Sequence, residues 1–134
     1  MALINAPTLQ DVVYSGESPL AVAHGSVKLA AAAIGDKVRM NLVYAGTKVY
    51  DAKIISGALG SGAKIKLGFE YADGSTGGDP AAFINDADCA TAGKDESSAA
   101  PVMIEKDAYI IATVVGSAAT GQLDSVVVFE PKGK

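Results

Sequence analysis

Cysteine is nearly absent from this 134-residue chain. Cys89 stands alone, which excludes an internal disulfide and any cysteine-built zinc cluster. Histidine is as scarce: His24 is the single copy, so a multi-histidine metal centre of the cupin kind cannot be assembled. Tryptophan is missing, and aromatic residues make up only 6% of the chain, too few for a platform on which bases or sugars stack. Positive charge is short as well. Fifteen acids oppose eleven bases, for a net charge of −4, and the nearest thing to a basic cluster is Lys64 with Lys66. A nucleic-acid partner needs a basic face, so none is expected. No apolar run reaches the length of a membrane span, so no membrane partner is expected. Met1 to Ile4 lacks the basic-then-apolar order of a secretory leader, and none is expected.

What remains is a chain that can fold without staples. Its length suits one domain, and about two-thirds of its surface can be buried. Hydrophobic residues make up 49% and charged residues 19%, which argues against disorder. Fifteen glycines punctuate it, in clusters at Gly57, Gly60 and Gly62, at Gly74, Gly77 and Gly78, and at Gly116 and Gly121.

Between these clusters the apolar period is two. Ala63, Ile65, Leu67, Phe69 and Tyr71 alternate with Lys64, Lys66, Gly68 and Glu70, so one face is buried and the other wet. Val38, Met40 and Leu42 alternate with Lys37, Arg39 and Asn41, and Tyr50, Ala52 and Ile54 with Val49, Asp51 and Lys53. Leu123, Ser125, Val127 and Phe129 alternate with Gln122, Asp124, Val126 and Val128. Residues 108–115 are apolar on both faces except at Tyr109 and Thr113, as in a central strand. Val27 to Ile34 holds a run of alanines, but Gly25 and Gly35 leave room for barely two helical turns, so it reads as a strand. Asp79 and Pro80 suit the start of a single helical turn reaching Ile84. Six to eight short strands of this kind predict an all-β fold, an antiparallel β-sandwich or jelly-roll-like domain.

Two segments lie outside that pattern. Residues 1–24 read as an extended N-terminal arm, broken by Pro7, Gly16 and Pro19 yet apolar at Leu3, Ile4, Leu9, Val12, Val13 and Tyr14. An arm of that composition either folds back on its own domain or lies along a neighbour, and these six residues are the candidate partner-binding set. Residues 25–134 form the sandwich, interrupted by a long loop at 73–100 rich in Gly, Ala, Ser and Asp.

Catalytic residues are hard to assemble. His24 and Ser26 sit too close in sequence to suggest a separate nucleophile and base, and no G-x-S-x-G elbow is present. The stretch Gly57 to Lys64 has a phosphate-loop look. It carries the wrong spacing, lacks Ser or Thr after the lysine, and leads into β-periodic sequence; it reads as a hairpin turn. Asp73, Asp79, Asp86, Asp88, Asp95 and Glu96 read as a solvated acidic loop, with a weak interfacial cation site as the second reading. Cys89 has no nearby base and reads as an inert thiol. The expectation is a protein that is not an enzyme, has no cofactor and no metal, and works by binding.

Three stretches, taken in order, resemble a known family. They are Gly35 to Val38 with Val43 to Val49; Asp51 to Gly60 leading to Ile65–Phe69; and Asp107 to Val114 followed by Ala118–Gly121 and Val126–Phe129. This order resembles small structural proteins of tailed bacteriophages, including capsid decoration (cement) proteins. The resemblance implies a non-enzymatic virion protein, assembled in the bacterial host cytoplasm and seated on the capsid surface. Its implied partners are the major capsid protein and other copies of itself, as a dimer or trimer. The alternative is a carbohydrate-binding or adhesion β-module on the virion or tail, with the acidic loop holding calcium.

Overall fold

The computed structural model describes residues 20–97 and 99–131. Among them are nine strands: β1 (Ala21–Ala32), β2 (Lys37–Val43), β3 (Thr47–Ser56), β4 (Lys64–Tyr71), β5 (Asp79–Asp88), β6 (Gly93–Glu96), β7 (Val102–Ile104), β8 (Ala108–Val115) and β9 (Ala119–Pro131). They form two antiparallel sheets. The first has the order β1-β9-β3-β6, with β7 also pairing β3; the second has the order β2-β8-β4-β5. The expected all-β, jelly-roll-like sandwich is what the chain forms.

The chain changes sheet at most connections. β1 leads to β2, β2 to β3, β3 to β4 and β8 to β9, each pair lying in opposite sheets. The turn at 44–46 and the Gly57–Ala63 segment are therefore crossings between layers, not hairpin turns. The ladders join distant parts of the chain, as in Ala23 opposite Val127 and Lys37 opposite Thr113.

The period-two reading holds where the ladder is unbroken. Ile65, Leu67 and Phe69 of β4 and Leu123, Ser125 and Val127 of β9 all point into the space between the sheets and are buried. There they pack with Val49, Ile54, Ile110 and Val114. β8 is central in its sheet, between β2 and β4; Ala108, Ile110, Ala112 and Val114 are buried on its inner face, while Tyr109, Thr113 and Val115 on the outer face are half-buried. Ile111, directed away from the inter-sheet core, is also buried; beside it the backbone of Asp79 and Pro80 passes over Gly68.

The reading fails at β-bulges, where an extra residue flips every following side chain to the other face. In β2, Arg39 opposes Ile111 and Asn41 opposes Ile110, so Met40 is extra. Beyond it Leu42 is 45% exposed and Val43 is 3% exposed, the reverse of the expected alternation. In β3, Tyr50 is the extra residue between Val49 and Asp51, and it turns outward while Val49 is buried.

Two boundaries also move. The first sheet begins at Ala21 rather than at Gly25, because Ala21 to His24 continue the ladder onto Val126–Phe129. The expected loop at 73–100 instead contains β5 and β6. No helical turn forms at residues 79–84. The Asp79 carboxylate accepts a hydrogen bond from the Ala81 N–H, as a cap would, but the chain stays extended. Pro80 is tolerated because β5 is an edge strand.

Candidate interaction surface

The two outer faces of the sandwich differ in chemistry. On the second sheet, Lys37 and Arg39 of β2 both engage Glu70 of β4, at 2.7 Å and 3.3 Å. The hydrogen bond from Lys37 chiefly, aided by the Lys37 charge and by Arg39, holds the Glu70 carboxyl below its ordinary value against the opposing effect of burial. The Arg39 guanidinium also lies over the Tyr109 ring, 4.4 Å from its centroid. Lys66 bonds Asn85 and pairs with Asp86 at 2.8 Å. These charges answer one another within the sheet.

The outer face of the first sheet is built from the even residues of β1 and β9. On β1 these are Val22, His24, Ser26 and Lys28; opposite them on β9 are Val128, Val126, Asp124 and Gln122. One end is polar. Ser26 Oγ donates to Asp124 Oδ1 at 2.8 Å, Gln122 Nε2 donates to Ser26 Oγ and to Asp124 Oδ1, and His24 Nε2 lies 3.3 Å from Asp124 Oδ2. Hydrogen bonds from Gln122 and Ser26, with a smaller contribution from His24, hold the Asp124 carboxyl below the usual aspartate value. The other end is apolar: Leu20 and Val22 are both more than 60% exposed. Tyr50 and Ile55 of β3 and Met103 of β7 are exposed large hydrophobic residues of the same sheet.

Serine, histidine and aspartate thus meet, though the sequence separates Asp124 from the other two by about a hundred residues. Their order is wrong for nucleophilic catalysis. That chemistry needs histidine between the serine it deprotonates and the carboxylate that orients it. Here Asp124 is central and takes bonds from both Ser26 and His24, so the hydroxyl donates to a carboxylate and has no imidazole base.

The acidic residues at 73–96 are dispersed. Asp86 pairs with Lys66 and Asp73 lies 3.9 Å from Lys106. Asp88 accepts from the Ala90 N–H and Asp95 from the Glu96 N–H. Among the described residues, no three His, Cys, Asp or Glu side chains converge to hold a metal ion. Cys89 is buried beside a cavity of about 210 Å³ lined by Ile54, Ser56, Thr91 and Lys94, smaller than a typical ligand site. Burial, with help from Asp88 and Asp95, raises its thiol pKa against a hydrogen bond involving Ser56, leaving a protonated, unreactive sulfur.

The six arm residues Leu3, Ile4, Leu9, Val12, Val13 and Tyr14 lie outside the described residues. The exposed apolar positions Leu20 and Val22 were not among the sequence candidates. Their signal is in the sequence, because β1 alternates Ala23, Gly25 and Val27 with Val22, His24 and Ser26, but only the pairing tells which set faces out.

No protein-family model matches the chain, and no curated protein matches it. Its fold is nonetheless shared with solved structures. A chain of the cyanophage Pam1 capsid asymmetric unit superposes with a TM-score of 0.68 at 16% identity, over 96% of this chain and 93% of that one. A chain of the capsid of Ralstonia phage GP4 gives 0.63 at 14% identity, over 92% and 89%. A chain of the acid-stable capsid of Helicobacter pylori bacteriophage KHP30 gives 0.60 at 14% identity, over 83% and 86%. The protein therefore has the β-sandwich fold of chains found in phage capsids.

Proposed function

We propose that this chain is a structural protein of a tailed-bacteriophage virion. It seats on the outside of the capsid, contacts the major capsid protein and stabilises the contacts between neighbouring capsomers. The observation that carries this reading is the fold shared, over nearly the whole of both chains, with chains of three phage capsids. The absence of a working relay at His24, Ser26 and Asp124 agrees with a role in binding rather than turnover. The exposed Leu20, Val22, Tyr50, Ile55 and Met103 give the first sheet an outer face suited to protein contact.

Many weak seats on one closed shell act together through multivalency, so no single contact needs to be tight. The apolar arm residues Leu3, Ile4, Leu9, Val12, Val13 and Tyr14 add a second means of attachment, and self-association as a dimer or trimer follows the symmetry of a shell. Assembly takes place in the host cytoplasm, where a chain with one thiol needs no oxidation. Quantitative mass spectrometry of purified phage particles tests the reading. Copy numbers comparable to those of the major shell protein support it, and absence of this chain from the particles overturns it.

A further inference from the structure

Among the described residues no strand pairs the outer edge of β1, and the direction of its backbone can be read from two hydrogen bonds. The Gln122 carbonyl accepts from the Gly57 N–H on the β3 side, so the even residues of β9 bond toward β3 and the odd ones toward β1. Gly25, opposite Ser125, and Ala23, opposite Val127, are then bonded to β9. The N–H and C=O groups of Val22, His24, Ser26 and Lys28 point away from the sheet. The second hydrogen bond agrees: the His24 carbonyl accepts from the Asn41 side chain of β2, on the side away from β9, at 3.3 Å, so this one carbonyl is already engaged and the edge is open on either side of it.

The other outer strands are defended. β2 carries Lys37, Arg39 and a bulge; β5 carries Pro80 and two register shifts; β6 is only four residues, three of them charged, and β7, also on β3, is only three residues long. These are the devices by which proteins keep foreign strands from adding to an edge. Between Ala21 and Leu29, β1 has a regular ladder, no proline, no acid and one lysine.

We infer that the open edge of β1, at Val22–Lys28, receives residues 8–14 of a second copy of this chain as an added strand. The inference rests on the multi-copy reading above, which supplies the neighbouring copy. Residues 8–14 match the edge in length, seven against seven, contain no proline or glycine, and end in Val12, Val13 and Tyr14, residues that favour extended backbone. Charge is complementary: residues 1–19 hold Asp11 and Glu17 with no basic side chain, whereas β1 holds His24 and Lys28 with no acidic one. Ser15 to Pro19 supply a spacer before Leu20.

The test is made on the purified full-length chain without capsids, so its failure leaves the particle composition, which tests the virion role, untouched. Val22→Pro removes an N–H that points away from β9 and is paired by no described strand, whereas Ala23→Pro removes one that bonds β9. Sedimentation over a concentration series is expected to show self-association that Val22→Pro weakens roughly tenfold or more, with a melting temperature close to that of the parent; Ala23→Pro lowers the melting temperature. Hydrogen exchange on the unaltered chain gives a second reading. The Val22, Ser26 and Lys28 amides gain protection as concentration rises, while Ala23 and Gly25 are protected throughout. A chain monomeric at every concentration, association unaffected by Val22→Pro, or concentration-independent protection of residues 8–14, which would place the arm on its own edge, each overturns the inference.

Discussion

The carbonyl oxygen of Asp79 lies over Gly68: a β-carbon on that glycine would sit 2.1 Å from it and 2.4 Å from the carbonyl carbon of Pro80. Both obstacles are backbone, so neither can turn aside. Gly68→Ala is expected to destabilise the fold by at least about 2–3 kcal/mol, as overpacking against a fixed wall does. Gly57→Ala meets nothing within 4 Å, and is expected to be neutral or to stabilise by about 0.5 kcal/mol through the unfolded state. Urea unfolding of the two variants checks the contrast.

Ser125 gives a prediction of opposite sign. Its side chain is buried in the core face of β9, and its hydroxyl oxygen has no hydrogen-bond partner among the described residues. A desolvated polar atom without a partner costs free energy. Ser125→Ala keeps the space nearly filled and removes that cost, so a gain of about 1 kcal/mol is expected in the same unfolding measurement.

The lowered carboxyls of Asp124 and Glu70 set a direction for the pH dependence. Each binds its proton less readily when folded than its ordinary value of 3.8 or 4.5. Their contribution to stability is therefore complete above the ordinary carboxylate range and is lost as pH falls through it to the lower folded values. Asp124→Asn and Glu70→Gln are expected to flatten the fall in melting temperature between about pH 5 and pH 2. Gln122→Ala is expected to move the Asp124 carboxyl upward in an NMR titration, because Gln122 is its strongest partner.

Cys89 is expected to resist thiol reagents in the native protein. It is 2% exposed and burial holds it protonated, so labelling must wait for local or global opening. A labelling rate in native buffer close to that in denaturant would contradict this placement.

The core was legible wherever alternation ran unbroken. Ile65, Leu67 and Phe69 declare their face because charge or glycine separates them. Leu42 and Tyr50 misled because a bulge shifts pairing without leaving a mark in the local pattern; both Met40 and Tyr50 read as ordinary strand residues. β5 was hidden for a related reason. Its two register shifts spoil the alternation, and Asp79-Pro80 imitates a helix start. The polar cluster was half visible: His24 and Ser26 are neighbours in sequence, but Asp124 reaches them only through the β1–β9 ladder.

A reconstruction of the intact virion by electron cryomicroscopy tests the structural role most directly. Many symmetry-related copies of this two-layer β domain are expected on the outer shell, each bridging more than one capsid subunit. A fully resolved shell whose outer surface carries no such domain would contradict it.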